Sequence, residues 1–405
     1  MKHFYIAHRL YKQTRNTNTN TTIRIAIIGI VLSIVVLVLT FAITDGFSRE
    51  ILTKVTGLNA HIEVKHFEFN NSYQRTPLND DPSLRLQLNS IENIAHIQAV
   101  ASIAGILKGE NDVEGVVFKG IGKDYDTTFL ANNIIEGRCP IYSDTIVCNE
   151  ILISETLAKR ASLHLNDKID VFFIQDNVRR RRFEIVGIYN TGFANFDKIY
   201  AICDIKHVIK INGWNNNCVD GLEIIIDDFN LLDKTTEDID KVIDYNLKAE
   251  NIKSRNSEIF SWITLIEQNV LVLIILIIII TAFSLISTQL TFALEHIPTI
   301  GLLKTMGARN QDIAKIFLLV SSKVLIIGVL IGDVVGFLLC VLQQYFHIVK
   351  LNPENYYVSY VPININFLHF LYIDIGILLI SFLVLVFPAY WVAKRINVVN
   401  AIRLQ

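Results

Sequence analysis

Apolar residues along this chain gather into four long runs, at 23–43, 263–290, 316–342 and 367–392. A helix of about 20 apolar residues crosses the hydrocarbon core of a bilayer, so each run predicts a membrane span. Their spacing is one plus three. The stretch between the first and second runs has ordinary soluble character, so a large domain on one side of a membrane is expected, tethered at both ends. The first run exceeds the ~7–15 apolar residues of a signal peptide, and no small-residue cleavage site follows it. It leads into Thr44-Asp45-Gly46-Phe47-Ser48-Arg49-Glu50, which reads as helix continuing out of the bilayer. An uncleaved anchor is expected.

Inside the soluble stretch the period changes. Residues 61–67 alternate as a strand does. Residues 100–107 and 113–121 flank Lys108-Gly109-Glu110-Asn111-Asp112, a hairpin signal, and 168–174 with 181–189 predict a second hairpin. Further strands are expected at 199–203 and 222–226, a short helix at 154–160, a charged amphipathic helix at 231–247 and an exposed loop at 70–83. The sum is an α+β domain built from local hairpins. Ahead of the first span, Phe4, Ala7, His8 and Tyr11 share a helical face opposite Arg9 and Lys12, which fits a helix lying on a lipid surface. The expected division is 1–45 for this helix and the first span, 46–261 for the extracytoplasmic domain, and 262–405 for three spans with a cytoplasmic connecting helix.

Composition sharpens this picture. Hydrophobic residues make up 51% of the chain, high for a soluble protein. A net charge of −2 provides no basic excess to track phosphates, so no nucleic-acid partner is expected. Basic residues cluster before the first run (Lys2, Arg9, Lys12, Arg15, Arg24), in the 291–315 connection (Lys304, Arg309, Lys315) and in the tail (Lys394, Arg395, Arg403). The 343–366 connection has only Lys350. By the positive-inside rule both termini are cytoplasmic and the large domain lies outside. The five cysteines form no CxxC pair, which argues against a zinc or redox motif. Cys139–Cys148 or Cys203–Cys218 could bridge in an oxidising compartment, and free thiols are equally consistent.

Candidate chemistry is sparse. Gly115 and Gly120 have Walker A spacing, but Ile121-Gly122 stand where Lys-Ser/Thr is required, so no nucleotide site is expected. No metal motif, nucleophile elbow or carboxylate pair appears, and no catalytic residue is assigned. Lys323, Asp333 and Asp374 lie inside predicted spans, where ionisable groups must face protein or water. They read either as a polar lining and inter-helix pair or as structural bonds. The segment 295–308 predicts a short amphipathic helix across the cytoplasmic ends of two spans, with Pro298 in its first turn and Gly307 at its end. Such a helix suits docking into a groove of a partner.

That segment, Glu295 through Ile300-Gly301-Leu302-Leu303-Lys304-Thr305-Met306-Gly307-Ala308, resembles the coupling segment of the FtsX-like permease superfamily of ABC transporters. Within it the chain is most similar to the lipoprotein-releasing permeases of the LolC/LolE type. Ile6-Ala7-His8-Arg9-Leu10, Ile25-Ala26-Ile27-Ile28-Gly29-Ile30, Asp45-Gly46-Phe47 and Lys54-Val55-Thr56-Gly57-Leu58-Asn59-Ala60-His61-Ile62 resemble the family's series around its first span. Arg182-Phe183-Glu184-Ile185-Val186-Gly187-Ile188-Tyr189 resembles its RFxVVGIF motif, and Pro388-Ala389, Ala393-Lys394-Arg395-Ile396 and Ala401-Ile402-Arg403 resemble its tail. The match runs in order over essentially the whole chain. His296 departs from the family's Lys or Arg, and Val398 from its Pro.

The resemblance implies a four-span inner-membrane permease with a MacB-like periplasmic α+β domain of two small lobes. It implies a dimer of permeases working with two copies of a separate cytoplasmic ATPase. ATP and magnesium would sit on that ATPase and no cofactor on this chain. Glu295, Ile300, Gly301, Leu302, Leu303, Lys304, Gly307 and Ala308 would couple to it. The implied cargo is a membrane-anchored lipoprotein, released toward the periplasm. MacB-like efflux, or a division-type FtsX role activating a cell-wall hydrolase, are the alternatives. Some family members hook a periplasmic chaperone with a long loop before RFxVVGIF. Here only Gln175-Asp176-Asn177-Val178 precede Arg179, Arg180, Arg181 and Arg182, so no long hook is expected, and the four Arg read either as a basic contact patch for a partner or lipid headgroups or as a solvated hairpin tip.

Overall fold

The computed structural model of the protein describes residues 19–67, 76–109, 112–143, 145–175 and 177–395. The expected surface helix at 2–13 and the end of the tail, including Arg403, lie outside the described residues. The chain divides into two compact units. One gathers the residues through Ser48, Trp262–Val349 and Val361 onward; the other gathers Arg49–Ser261 with Lys350–Tyr360.

The first unit is a bundle of helices. The first span is Thr19–Asn59, the second Ser257–Glu295, the third Asn310–Phe346 and the fourth Phe367–Arg395. All four are long and apolar enough to cross a membrane. At 1.5 Å per residue the 41-residue first span is about 60 Å long, twice the hydrocarbon thickness, so it continues well beyond the bilayer. Ile30, Ile34, Leu37 and Val38 of the first span pack in one core with Phe317, Val320, Val324 and Val329 of the third. Between these two helices the approach is unusually close. A Cβ added at Gly328, Gly332 or Gly336 would lie 2.6, 2.6 or 2.9 Å from side-chain atoms of Ile30, Ile34 and Val38 respectively. Glycines at four-residue spacing form a groove along one helix face, and the aliphatic ridge of the first span fills it. Lipid chains are as apolar as leucine, so this close packing is what drives helix association in a bilayer.

The second unit is built on a mixed ten-stranded sheet. Its strands are β1 (Ile62–His66), β3 (Ile94–Lys108), β4 (Val113–Ile121), β5 (Ile134–Gly137), β6 (Glu150–Ser154), β7 (Lys168–Ile174), β8 (Val178–Tyr189), β9 (Tyr200–Asp204), β11 (Gly221–Ile226) and β12 (Leu247–Asn251). The order is β12-β1-β11-β3-β4-β9-β6-β8-β5, with β7 pairing both β3 and β8. A small separate sheet pairs β2 (Leu78–Asn79) with β10 (Cys218–Val219). Both expected hairpins form, β3 against β4 and β7 against β8. Gly115 and Gly120 lie within β4, a paired strand and not a phosphate loop. Ser154 caps the helix Glu155–Arg160 by accepting the Leu157 N–H at 3.0 Å.

Two local expectations are corrected. The stretch 70–83 is not all loop: Leu78–Asn79 is a strand, and a helix begins at Pro82 with Asp81 as its N-cap. The charged helix predicted at 231–247 stops at Asp240. The Asp240 carboxylate accepts the Ala249 N–H at 2.9 Å, and Leu247–Asn251 turns back to pair with β1. Long-range strand pairing overrides the helical period there.

The far end of the first span is fastened within this unit. Lys119 of β4 donates to the Leu58 carbonyl at 2.8 Å and to Glu223 of β11 at 2.7 Å. Arg255 donates to the Asn59 carbonyl at 3.3 Å and lies 3.3 Å from Glu63. Cations at the last carbonyls of a helix satisfy otherwise unpaired acceptors and complement its dipole. Burial pulls the Lys119 ammonium's pKa down, but the adjacent Glu223 carboxylate more than offsets this, and the net shift is upward. The connection between the third and fourth spans also joins this unit. Lys350 pairs with Tyr360, Val358 is buried, and the Tyr357 ring lies 5.3 Å from Phe193.

Candidate functional site

A cavity of about 550 Å³ opens at the end of the bundle where the first span runs on toward residue 49. The first span contributes Phe41, Ala42, Thr44, Asp45 and Ser48. The second contributes Glu267, Val270, Leu271 and Ile274, and the chain entering the fourth span contributes Asn364, Asn366, Phe370 and Tyr372. The arrangement depends on Gly46. A Cβ there would sit 2.4 Å from the Pro362 carbonyl oxygen, so only glycine lets residues 362–364 cross the first span so closely. The crossing is then fastened: the Asn364 N–H donates to the Ala42 carbonyl at 3.0 Å and its side-chain amide to Asp45 at 2.7 Å. Phe47 packs edge-on against Trp262 with ring centroids 6.1 Å apart, which joins the first and second spans beside the cavity. The result is an apolar floor with a polar, acidic mouth, a form suited to an amphiphile.

At the opposite end of the bundle lies the short helix Ile297–Thr305. Gly307 follows it at φ +88°, the left-handed conformation that ends helices, and the Ala308 N–H reaches back to the Leu303 carbonyl at 3.0 Å. The His296 ring lies 4.4 Å from Phe292, which packs edge-on to Phe317 at 5.4 Å. These contacts pin the helix to the second and third spans. The eight residues expected to couple to a partner separate into three sets. Ile300 and Gly301 are buried in the bundle, and Leu303, Lys304 and Ala308 are half-buried. Glu295, Leu302 and Gly307 are exposed. Leu294, Pro298 and Met306 share the exposed side with Leu302, and Leu294, Leu302 and Met306 are 61%, 62% and 77% exposed. Spacing by four residues from Leu294 could have found this apolar stripe in the sequence.

Among the intramembrane ionisable residues, the Asp333 and Asp374 carboxyl groups hydrogen-bond to each other between the third and fourth spans. Lys323 is half-buried in the third span and lies outside the cavity lining. The four arginines do not form one patch. They occupy successive positions of β8, so strand alternation sends them to both faces of the hairpin. Arg180 lies 2.5 Å from Asp170, Arg179 donates to the Lys210 carbonyl at 2.9 Å, Arg181 is half-buried and Arg182 is exposed. At the tip of this hairpin Ile174 and Val178 face each other, 59% and 65% exposed. All five cysteines are free thiols. Among the described residues no three His, Cys, Asp or Glu side chains converge as a metal site requires.

Comparison with known proteins gives two family matches. Residues 271–395 match the FtsX-like permease C-terminal model, and residues 25–216 match the MacB-like periplasmic core domain. The lipoprotein-releasing system transmembrane protein LolC of Xylella fastidiosa is 24% identical over 397 residues, covering 93% of this chain and 92% of that protein. LolE of Haemophilus influenzae is 21% identical and covers 91% of both chains. An uncharacterized membrane protein of Buchnera aphidicola subsp. Schizaphis graminum is 26% identical over 96% of both. Among solved structures, the periplasmic region of MacB from Actinobacillus actinomycetemcomitans aligns with 49% of this chain and 91% of its own, at 16% identity and a TM-score of 0.35.

Proposed function

This chain belongs to the FtsX-like, MacB-type permease superfamily, and on that premise we propose that it is the permease of a lipoprotein-releasing ABC transporter. It is a membrane protein with a MacB-like extracytoplasmic domain. The permease itself transmits force, and ATP is hydrolysed on a separate cytoplasmic ATPase. That ATPase docks on the exposed stripe of Leu294, Pro298, Leu302 and Met306. A second permease copy or paralogue completes the transporter. Dimerisation of the ATPases pushes the short helix, and the push narrows the cavity between the first and second spans. The acyl chains of an anchored lipoprotein leave the cavity toward the domain side. Each CH₂ group moved from lipid to water costs about 0.8 kcal/mol, so a whole lipid anchor costs tens of kcal/mol if released bare. A periplasmic lipid-binding chaperone therefore receives the cargo, and the apolar tip of the β7–β8 hairpin, Ile174 with Val178, is its docking point.

The observation that carries this reading is the cavity itself, with its apolar floor and polar mouth against two spans. The test is release of a fluorescent acylated lipoprotein from proteoliposomes holding the permease and its ATPase. Leu302→Asp with Met306→Asp is expected to abolish ATPase copurification and release while leaving the permease folded. Undiminished copurification would refute the docking assignment.

A further inference from the structure

Within the bundle, the described buried side-chain atoms without a hydrogen-bond partner are Gln289 Oε1 and Nε2, His296 Nε2 and Ser322 Oγ. All three residues stand toward the end that carries the short helix Ile297–Thr305. Gln289 is the sharpest case, 1% exposed with neither its donor nor its acceptor engaged. It belongs to the second span and faces the first and third, where Ile23, Leu285, Phe292, Val320 and Val324 surround a space of about 10 Å³. Two hydroxyl residues share that lining. Thr288 already donates to the Ser284 carbonyl at 2.8 Å, and Ser321 stands on the third span.

A buried amide left unpaired costs the desolvation of its polar groups, and the lipid around a bundle provides no substitute partner. A leucine of nearly the same volume carries no such cost. With glutamine here, the resting packing of the second span is weaker than an apolar side chain would make it. The neighbouring surface is also smooth. Gly29 of the first span offers no side chain opposite Ser284, and a Cβ built there would lie 3.4 Å from the serine hydroxyl.

We infer that Gln289 is a two-position joint of the second span: its amide is unpaired in the resting arrangement and engages the Ser321 hydroxyl when the second span shifts against the third. The inference rests on the permease reading and adds where a push on the short helix is received. Phe292, three residues beyond Gln289, packs against both His296 and Phe317, so displacement of the short helix reaches this level of the second span first. The unpaired amide raises the resting arrangement and the new hydrogen bond lowers the shifted one. Together they bring the equilibrium within reach of a partner's push. The joint shares no lining residue with the 550 Å³ cavity.

The experiment uses the full-length permease, in detergent for unfolding and with its ATPase in proteoliposomes for release. Gln289→Leu removes the unpaired amide and keeps the bulk. Its unfolding temperature should rise and ATPase copurification should be unchanged. ATP-driven release of an acylated lipoprotein should slow about tenfold, the factor equivalent to about 1.4 kcal/mol. Ser321→Ala removes only the partner of the shifted arrangement, so release should slow at an unchanged unfolding temperature. A substitution that merely loosened the bundle would lower stability and release together, which makes the opposite signs in Gln289→Leu diagnostic. An amide already satisfied at rest, by a trapped water for instance, would make Gln289→Leu neutral or destabilising. A lower or unchanged unfolding temperature for Gln289→Leu, or undiminished release by either variant, overturns the inference. If the wild-type permease and its ATPase release nothing on addition of ATP, the permease reading itself falls and the inference with it. Wild-type release alongside any of the overturning results leaves that reading standing.

Discussion

Along one face of the first span, Ile30, Ile34 and Val38 fill a groove cut by Gly328, Gly332 and Gly336, with no room for even a methyl group. A turn further along the same helix, Phe41 to Ser48 border about 550 Å³ of open space against the second span. At these two levels the helix has a closed contact with the third span and an open one with the second. A contact without voids moves as a body, because any separation forfeits close packing that nothing replaces. An open contact can narrow without breaking anything. The first and third spans pack without room to shift, and the gap between the first and second is where the bundle has room to narrow. Within the other unit, Lys119 and Arg255 hold the last carbonyls of the same helix.

The largest effect is expected where the far end of that helix is held within the second unit. Lys119→Met leaves Glu223, 3% exposed, without its cation inside the sheet. Removing one partner of a buried pair costs about 3–5 kcal/mol, and thermal unfolding of the domain should fall accordingly, with Lys119→Met/Glu223→Gln recovering part of the loss. Alkali should act in the same direction. The Lys119 pKa is raised in the folded state, so its contribution is complete below the ordinary lysine value and disappears as pH rises through the raised one.

A smaller effect is expected at the glycine seam. Gly332→Leu forces a side chain into Ile34 and should cost about 1–3 kcal/mol of bundle stability, read as a lower unfolding temperature in detergent. Leu271→Trp sharpens the contrast by adding comparable bulk to the open side. Its stability change should stay within about 0.5 kcal/mol, while lipoprotein release is lost. If both additions destabilise alike, the two contacts do not differ as described.

The mildest expected effect separates the domain from the bundle. Burial depresses the His207 imidazole's pKa, so its neutral form belongs to the folded state. Its contribution is complete above the ordinary histidine value and is lost as pH falls below it toward the depressed one. Domain unfolding should therefore become easier below about pH 6.5. His207→Gln should reduce that slope, with His61, depressed by burial in the same way, keeping part of it, and leave the seam variants' behaviour unchanged.

Much of the bundle was legible because a bilayer permits few backbone solutions, and four apolar runs at 1+3 spacing leave little choice. The seam was legible too: Gly328, Gly332 and Gly336 at four-residue intervals are a packing signal, hidden within a run read for hydropathy alone. The cavity was not legible. It exists because residues 362–364 cross Gly46, a contact between positions more than 300 residues apart, and no local period encodes that. Asp45 accordingly read as a residue of a helix leaving the membrane and of a family motif, not as part of a cavity. The four arginines divide between two faces for a local reason that alternation along β8 supplies: consecutive strand residues cannot all face one way.

The central claim is that the gap between the first and second spans closes while the first and third stay joined. In a permease whose five native cysteines are replaced by serine, Ala42→Cys with Ile274→Cys spans the cavity, and Val38→Cys with Gly336→Cys spans the seam. The cavity pair is bridged by a bifunctional thiol reagent and the seam pair, where no spacer fits, by direct oxidation to a disulfide, and ATP-driven lipoprotein release is measured in proteoliposomes before and after bridging. The account predicts that bridging the cavity pair stops release and bridging the seam pair leaves it intact. Release that survives the cavity bridge, or stops equally with the seam bridge, would contradict it.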